Sequence, residues 1–220
     1  MARTLRIGGF GIALCGLLCA ACGGDDGGDV DGGPAVDAGP PDVPVATGLT
    51  AAGVYAGAEA MAKDEHADAV LFEVTSNFIS VGGELDLDTN QSYWNYSFAS
   101  LSTGDRINVV YIQGAYSKSL GQVNPEGLKT LGADWIDSDE AMAAVVSIGL
   151  TAPSGADERL ALTLNRRELL QECDDPVWSI DKIDAPPGGE PVFEHWFALY
   201  CEAGATKLAC NPAGDCSAVP

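Results

Sequence analysis

Apolar side chains recur over residues 51–66 at helical spacing, with Val54, Tyr55, Ala58, Met61 and Ala62 on one stripe. Thr50 stands where an N-cap hydroxyl belongs. The period then drops to two: Val70, Phe72 and Val74 alternate across 69–75, as a half-buried strand does. Gly82-Gly83 and the run Asp86-Leu87-Asp88-Thr89-Asn90 carry turn chemistry. Trp94, Tyr96 and Phe98 share one face of a strand over 93–98. Ser102-Thr103-Gly104-Asp105 reverses the chain, and 107–113 returns. Residues 114–132, rich in Gly, Asn and Pro, read as a loop.

A second cycle follows. Asp137 and Glu140 have capping-box spacing, Ile136 precedes them as a staple residue, and Met142, Val145 and Val146 continue a helix to Gly149. Leu160, Leu162 and Leu164 alternate over 159–165, and 176–180 and 192–201 predict further strands. Residues 205–210 return beside the last. Both cycles run helix first, then antiparallel strands, one of them bearing tryptophan. The expected fold class is therefore α+β, a helix packed on an antiparallel sheet, as two related helix-plus-strands units over 48–132 and 133–220. No fixed period relates them, so no solenoid follows.

Charge narrows the partners. Of 220 residues, 11 are Lys or Arg and 32 are Asp or Glu, a formal net charge of −21. Phosphate neutralisation needs a basic patch that so few cations do not build, which argues against nucleic acid. Electrostatic docking on an anionic bilayer is disfavoured for the same reason. The one long apolar run lies within residues 1–21, which excludes a polytopic membrane protein.

That run has the layout of an export signal. Arg3 and Arg6 form a positive n-region, and an apolar stretch of about 15 residues follows, short of the ~20 that a membrane span needs. Leu17-Leu18-Cys19-Ala20-Ala21-Cys22-Gly23 resembles the lipobox of bacterial lipoproteins, with Cys19 where that family usually has Leu. The resemblance implies removal of residues 1–21, diacylation of Cys22 and, with Gly23 rather than Asp next, an outer-membrane destination. An ordinary secretory cleavage near Ala21 is the alternative. Residues 23–47 hold six Asp, no basic residue and no aromatic. Such a stretch cannot bury enough apolar surface to offset its ordering entropy, and is expected to be a disordered acidic tether over 22–47 with a reach of about 25–30 Å. Its Gly/Asp pattern is irregular and occurs once, unlike a calcium-binding repeat.

Four of the seven cysteines remain beyond the signal and Cys22: Cys173, Cys201, Cys210 and Cys216. An even number in an exported chain predicts disulfides, in three possible connectivities. Their spacing lacks the two close pairs of a zinc site. Cys210 and Cys216 bracket Asn211-Pro212-Ala213-Gly214-Asp215, a sequence built to turn, which pairs them with each other and leaves Cys173 for Cys201.

Catalytic chemistry finds little to work with. The two histidines, His66 and His195, lie beside carboxylates (Asp64, Glu65 and Asp68; Glu194) and read as a solvated ion pair and an outward strand residue. No Gly-x-Ser-x-Gly, no His-Glu-x-x-His and no phosphate-cradling loop occurs. Asp174-Asp175, Asp137/Asp139/Glu140 and Asp86/Asp88/Asn90 offer carboxylate clusters. The last opens like a calcium loop but has Gln91 and Ser97 where Gly and Glu are required. The Trp94/Tyr96/Phe98 and Trp196/Phe197/Tyr200 rows read as core, with a ligand platform as the alternative. No catalytic residue, metal or cofactor is assigned.

Runs such as Ile136-Asp137-Ser138-Asp139-Glu140-Ala141 before a helix, and Leu199 to Leu208 in a terminal hairpin, look like the PepSY-type module of protease propeptides and anchored periplasmic proteins. That resemblance implies a non-catalytic binding or inhibitory role. The expected function is a membrane-anchored, non-enzymatic lipoprotein presenting a binding or inhibitory module to an envelope partner. An envelope hydrolase using a carboxylate pair and a purely structural envelope component are the alternatives.

Overall fold

Thr50 caps the first helix, its hydroxyl accepting the Gly53 N–H at 3.1 Å, and α1 (Ala51–Glu65) runs to His66, whose N–H closes on Ala62 O. Strands β1 (Ala69–Asn77), β2 (Tyr93–Ser100), β3 (Asp105–Ile112) and β4 (Ala115–Gln122) follow as a meander. Helix α2 (Ser138–Ser147) then leads into β5 (Glu158–Arg166), β6 (Pro176–Asp184), β7 (Val192–Cys201), β8 (Thr206–Cys210) and β9 (Cys216–Val219). This computed structural model describes residues 48–132, 135–166, 176–201 and 206–219.

The nine described strands form one antiparallel sheet in the order β4-β3-β2-β1-β5-β6-β7-β8-β9. This corrects the expected fold class of two helix-on-sheet units. The strands that open the two cycles pair with each other, through Glu73↔Asn165, Val74↔Leu164 and Thr75↔Thr163, so one sheet runs through both stretches. Two separate sheets would each have left β1 or β5 with an unpaired edge; the seam satisfies both at once. Alternation reports which face a strand buries, not which strand lies beside it.

Residues 115–122, expected to be loop, form β4. Gln113 (φ 50) and Gly114 (φ 83) make a tight hairpin turn with positive φ at both central positions. At the sheet edge β4 needs little burial, so it carries none of the alternation that marks the inner strands.

Both helices pack on one face over a single core that holds Val54, Ala58, Met142, Val145, Trp94, Tyr96, Trp178 and Leu162. The halves fasten their helices alike. Trp94 on β2 donates its indole N–H to Leu49 O at 2.9 Å, just before the α1 cap, and Trp178 on β6 donates to Ile136 O at 2.8 Å, just before the α2 cap. The two indoles meet edge-on, 6.1 Å between centroids. Gly149 (φ 120) ends α2, where Gly149 N bonds Val146 O and Leu150 N bonds Val145 O, both at 3.1 Å.

Asp137 does more than the expected capping box. Its carboxylate accepts from Ser138 N (2.7 Å), Ala52 N (2.8 Å) and the Thr50 hydroxyl (2.6 Å), so one side chain caps both helix N-termini. Glu140 instead meets Lys207 at 2.9 Å. Ser138 Oγ accepts Ala51 N and donates to Gly83 O, tying the loop after β1 to the same junction.

Candidate functional site

No described helix covers the second face of the sheet, and polar side chains gather there. On β3, Ile107 and Val109 point into the core, so Arg106 and Asn108 point away from it. Arg106 Nε donates to Asn108 Oδ1 (2.8 Å) and its Nη2 to Ser97 Oγ (2.9 Å), while Ser97 Oγ donates to Asn108 Oδ1 (3.0 Å). Glu73 lies 3.6 Å from the same guanidinium, which stacks 5.4 Å above the Phe72 ring. Phe72 occupies a bulge in β1, where the register slips between Leu71 and Glu73. Beside this network Asn95 donates to Thr75 Oγ1, and Tyr93, Asn95, Arg106, Asn108 and Ser119 line a shallow depression of about 590 Å³. Arg106 Nε and Nη2 and the Ser97 hydroxyl are each committed to an acceptor, which fixes the centre of this surface.

A second arginine shares the face. Arg159 alternates with fully buried Leu160 on β5 and lies 5.6 Å above the Phe78 ring. A second concavity, about 580 Å³, opens beside α1, with Tyr55, Trp135, Asp68 and the Glu59–Lys63 ion pair (2.7 Å) in its wall. Tyr55 meets Trp135 edge-on at 5.9 Å, and burial beside Glu59 pushes its phenol well above the usual tyrosine range. The Tyr116 phenol is pushed up to about 12 by burial.

His66 caps α1 and pairs with Asp105, Nε2 to Oδ2 at 3.0 Å, rather than with its expected sequence neighbours. Asp105 also accepts from Thr103 Oγ1 and Gln122 Nε2, and these bonds, Thr103 first, hold its carboxyl below the usual range. Asp68 is lowered by the Ser102 and Ser100 groups that bond it. His195 faces outward and its Nδ1 meets Asp181 Oδ1 at 2.6 Å, its ring parallel to Phe193 at 6.0 Å.

Asp86 and Asp88 form a side-chain turn, Asp88 N to Asp86 Oδ1 at 3.0 Å. No cluster of metal-ligating side chains occurs among the described residues. Trp94, Tyr96 and Phe98 are core. The second aromatic row divides: Trp196 is buried with the helices and Phe197 lies on the other face, beside Val177 and Leu199.

Cys210 and Cys216 are joined across the β8–β9 hairpin, Cα atoms 4.0 Å apart. The Cys173–Cys201 pairing, Asp174-Asp175, the side chain of Tyr200, the signal segment, Cys22 and the tether all lie outside the described residues. The Arg106 and Arg159 neighbourhoods were missed in the sequence. Their signal is present: a cation at the off-phase position of an alternating strand, in a chain with few cations. Comparison with protein families, curated proteins and solved structures finds no match.

Proposed function

We propose that this chain is a lipid-anchored, non-catalytic binding protein of the cell envelope, tethered at Cys22 and presenting the helix-free sheet face to an envelope partner. One observation carries the reading: both helices pack on the same face, and the opposite face displays a bonded array of guanidinium, amide, hydroxyl and aromatic groups. A surface whose polar groups are fixed before a partner arrives loses little entropy on binding. His66 and His195 are both engaged with carboxylates, an arrangement that serves structure without requiring a nucleophile.

The lipobox-like segment and the acidic spacer support the anchoring half of the proposal, and Gly23 after Cys22 favours the outer membrane. A diacyl anchor, unlike a single acyl chain, holds a protein stably on a bilayer.

Two measurements test it. Labelled palmitate should enter the wild-type chain and not Cys22→Ser, which should leave the membrane fraction or stay unprocessed; a labelled or normally processed variant refutes the anchor. A photo-cross-linking residue at Thr163, on the helix-free face, should capture an envelope component in intact cells where one at Asp64 on α1 does not. Equal capture from both positions, or none, refutes the assignment of the face.

A further inference from the structure

We propose that the hollow at the Phe78–Arg159 end of the helix-free face binds a free α-amino acid, its carboxylate on Arg159 and its ammonium on Asp86. The proposal deepens the binding reading above by naming a ligand class. The hollow has a volume of about 280 Å³ and is walled by Phe78, Asp86, Thr89, Pro153, Gly155 and Arg159, among others. That is below the ~300–1,000 Å³ of sites for drug-sized ligands, so its occupant is small.

Arg159 is an anomaly in a chain with 32 acidic and 11 basic residues. Lys63, Arg106, Lys118, Lys182 and Lys207 all meet carboxylates. Arg159 meets none among the described residues, and its Nε is buried with no hydrogen-bond partner. Arg159 is itself only half-buried, so the rest of its fork of donors stays open toward the hollow, and such a planar fork without a carboxylate beside it is complementary to one.

The backbone is bent to hold it there. Phe78 and Gln113 are the described non-glycine residues with positive φ, at 53° and 50°. The hairpin turn accounts for Gln113. Phe78 turns the chain between β1 and the Ile79–Leu85 bridge, where Phe78 O accepts from Ser92 Oγ and Ile79 N bonds Leu160 O, and its ring lies beneath Arg159. A bulky side chain held at positive φ marks a constrained position.

The opposite charge lies in the same wall. Asp86 is oriented by its bond to Asp88 N, and it forms no ion pair with Arg159. Glu158, also in the wall, is occupied by Ser154 N at 2.7 Å and Lys182 Nζ at 3.4 Å. A cation and an anion that line one small hollow without pairing with each other are complementary to a zwitterion. A phosphate dianion would meet Asp86 unfavourably, and a simple amine would leave Arg159 unpaired.

Calorimetric titration of the full chain in detergent micelles tests this, using glycine, L-alanine and L-serine against acetate, methylamine and inorganic phosphate. At least one amino acid should bind roughly tenfold or more tightly than any of the three controls. Arg159→Gln should weaken it by roughly ten- to a hundred-fold, the scale of a charge-assisted hydrogen-bond pair, and Arg159→Lys by less. Asp86→Asn should weaken the amino acid and leave acetate unchanged, with thermal melts showing that each variant is folded. No binding by the amino acids, phosphate or acetate binding as tightly, or unchanged affinity in a folded Arg159→Gln chain would overturn the proposal. Because anchoring and cross-linking are read separately, that outcome leaves both of them standing.

Discussion

Two arginines stand on the helix-free face, each above a phenylalanine ring, and they differ in everything else. Arg106 is engaged by Glu73, Ser97 and Asn108, within a patch built from three adjacent strands. Arg159 has its ring, Phe78, and no acceptor among the described residues. The helix side gives no hint of this contrast, since both halves fasten their helices with the same tryptophan-to-carbonyl bond. The lesson is about completeness. A cation whose partners are already present holds a surface together, whereas one left unsatisfied beside a hollow is set to hold something else.

The largest expected effect falls on the loop that carries Asp86. Gly83 has φ 81 and a Cβ there would lie 2.5 Å from Asp139 N and Cα and from Ser138 O. Gly83→Ala combines backbone strain with overpacking against α2, a cost of about 4 kcal/mol in chemical denaturation. It should also abolish the Arg159 site while leaving the Arg106 patch in place, once the chain is refolded at low temperature. A cost below about 1 kcal/mol would mean the loop is not clamped to the helix as described. Next comes Asp137→Ala, which removes the cap from both helices at once and should cost about 2–3 kcal/mol by the same measurement.

Sequence reasoning reached these places unevenly. The helix over 51–66, the cap at Asp137, the stop at Gly149 and the core row at Trp94 were legible because each depends on local chemistry. The single sheet was not. The β1–β5 pairing is a contact between residues far apart in the chain, and the alternation of Val74 and Leu164 is the same whichever strand lies alongside. Strand β4 escaped because an edge strand buries too little to imprint a pattern. The Arg159 hollow was hidden for a third reason: it depends on the conformation of one residue, Phe78, in a turn.

Removing the two guanidiniums in turn sharpens the comparison directly. Arg106→Met strands Glu73 beside Phe72 and leaves fully buried Ser97 without its donor, at a cost of about 1–2 kcal/mol. Arg159→Met removes a buried donor that had no acceptor, so its stability should stay within about 0.5 kcal/mol of wild type. If Arg159→Met were the more damaging of the two, Arg159 would be a structural residue and the contrast would be lost.

The smallest effect concerns how the Arg159 wall is held. Glu158 ties down the preceding loop by accepting from Ser154 N and Ser154 Oγ and by pairing with Lys182, which itself bonds Thr151. The Ser154 backbone N–H first, and Lys182 after it, hold the Glu158 carboxyl below its ordinary value of 4.5. A carboxyl lowered in the folded chain binds fewer protons there than in the unfolded one. Its stabilisation is therefore fully present above 4.5 and is lost as the pH falls through the lower folded value. Melting temperatures of wild type and Glu158→Gln should differ by a small constant amount near neutrality and converge in acid. Lys182 opposes no other carboxylate in the described ion pairs, so the same variant should weaken the loop without touching the Arg106 patch. Melting temperatures that stayed equally far apart down through the acid range would leave Glu158 without its role in the wall.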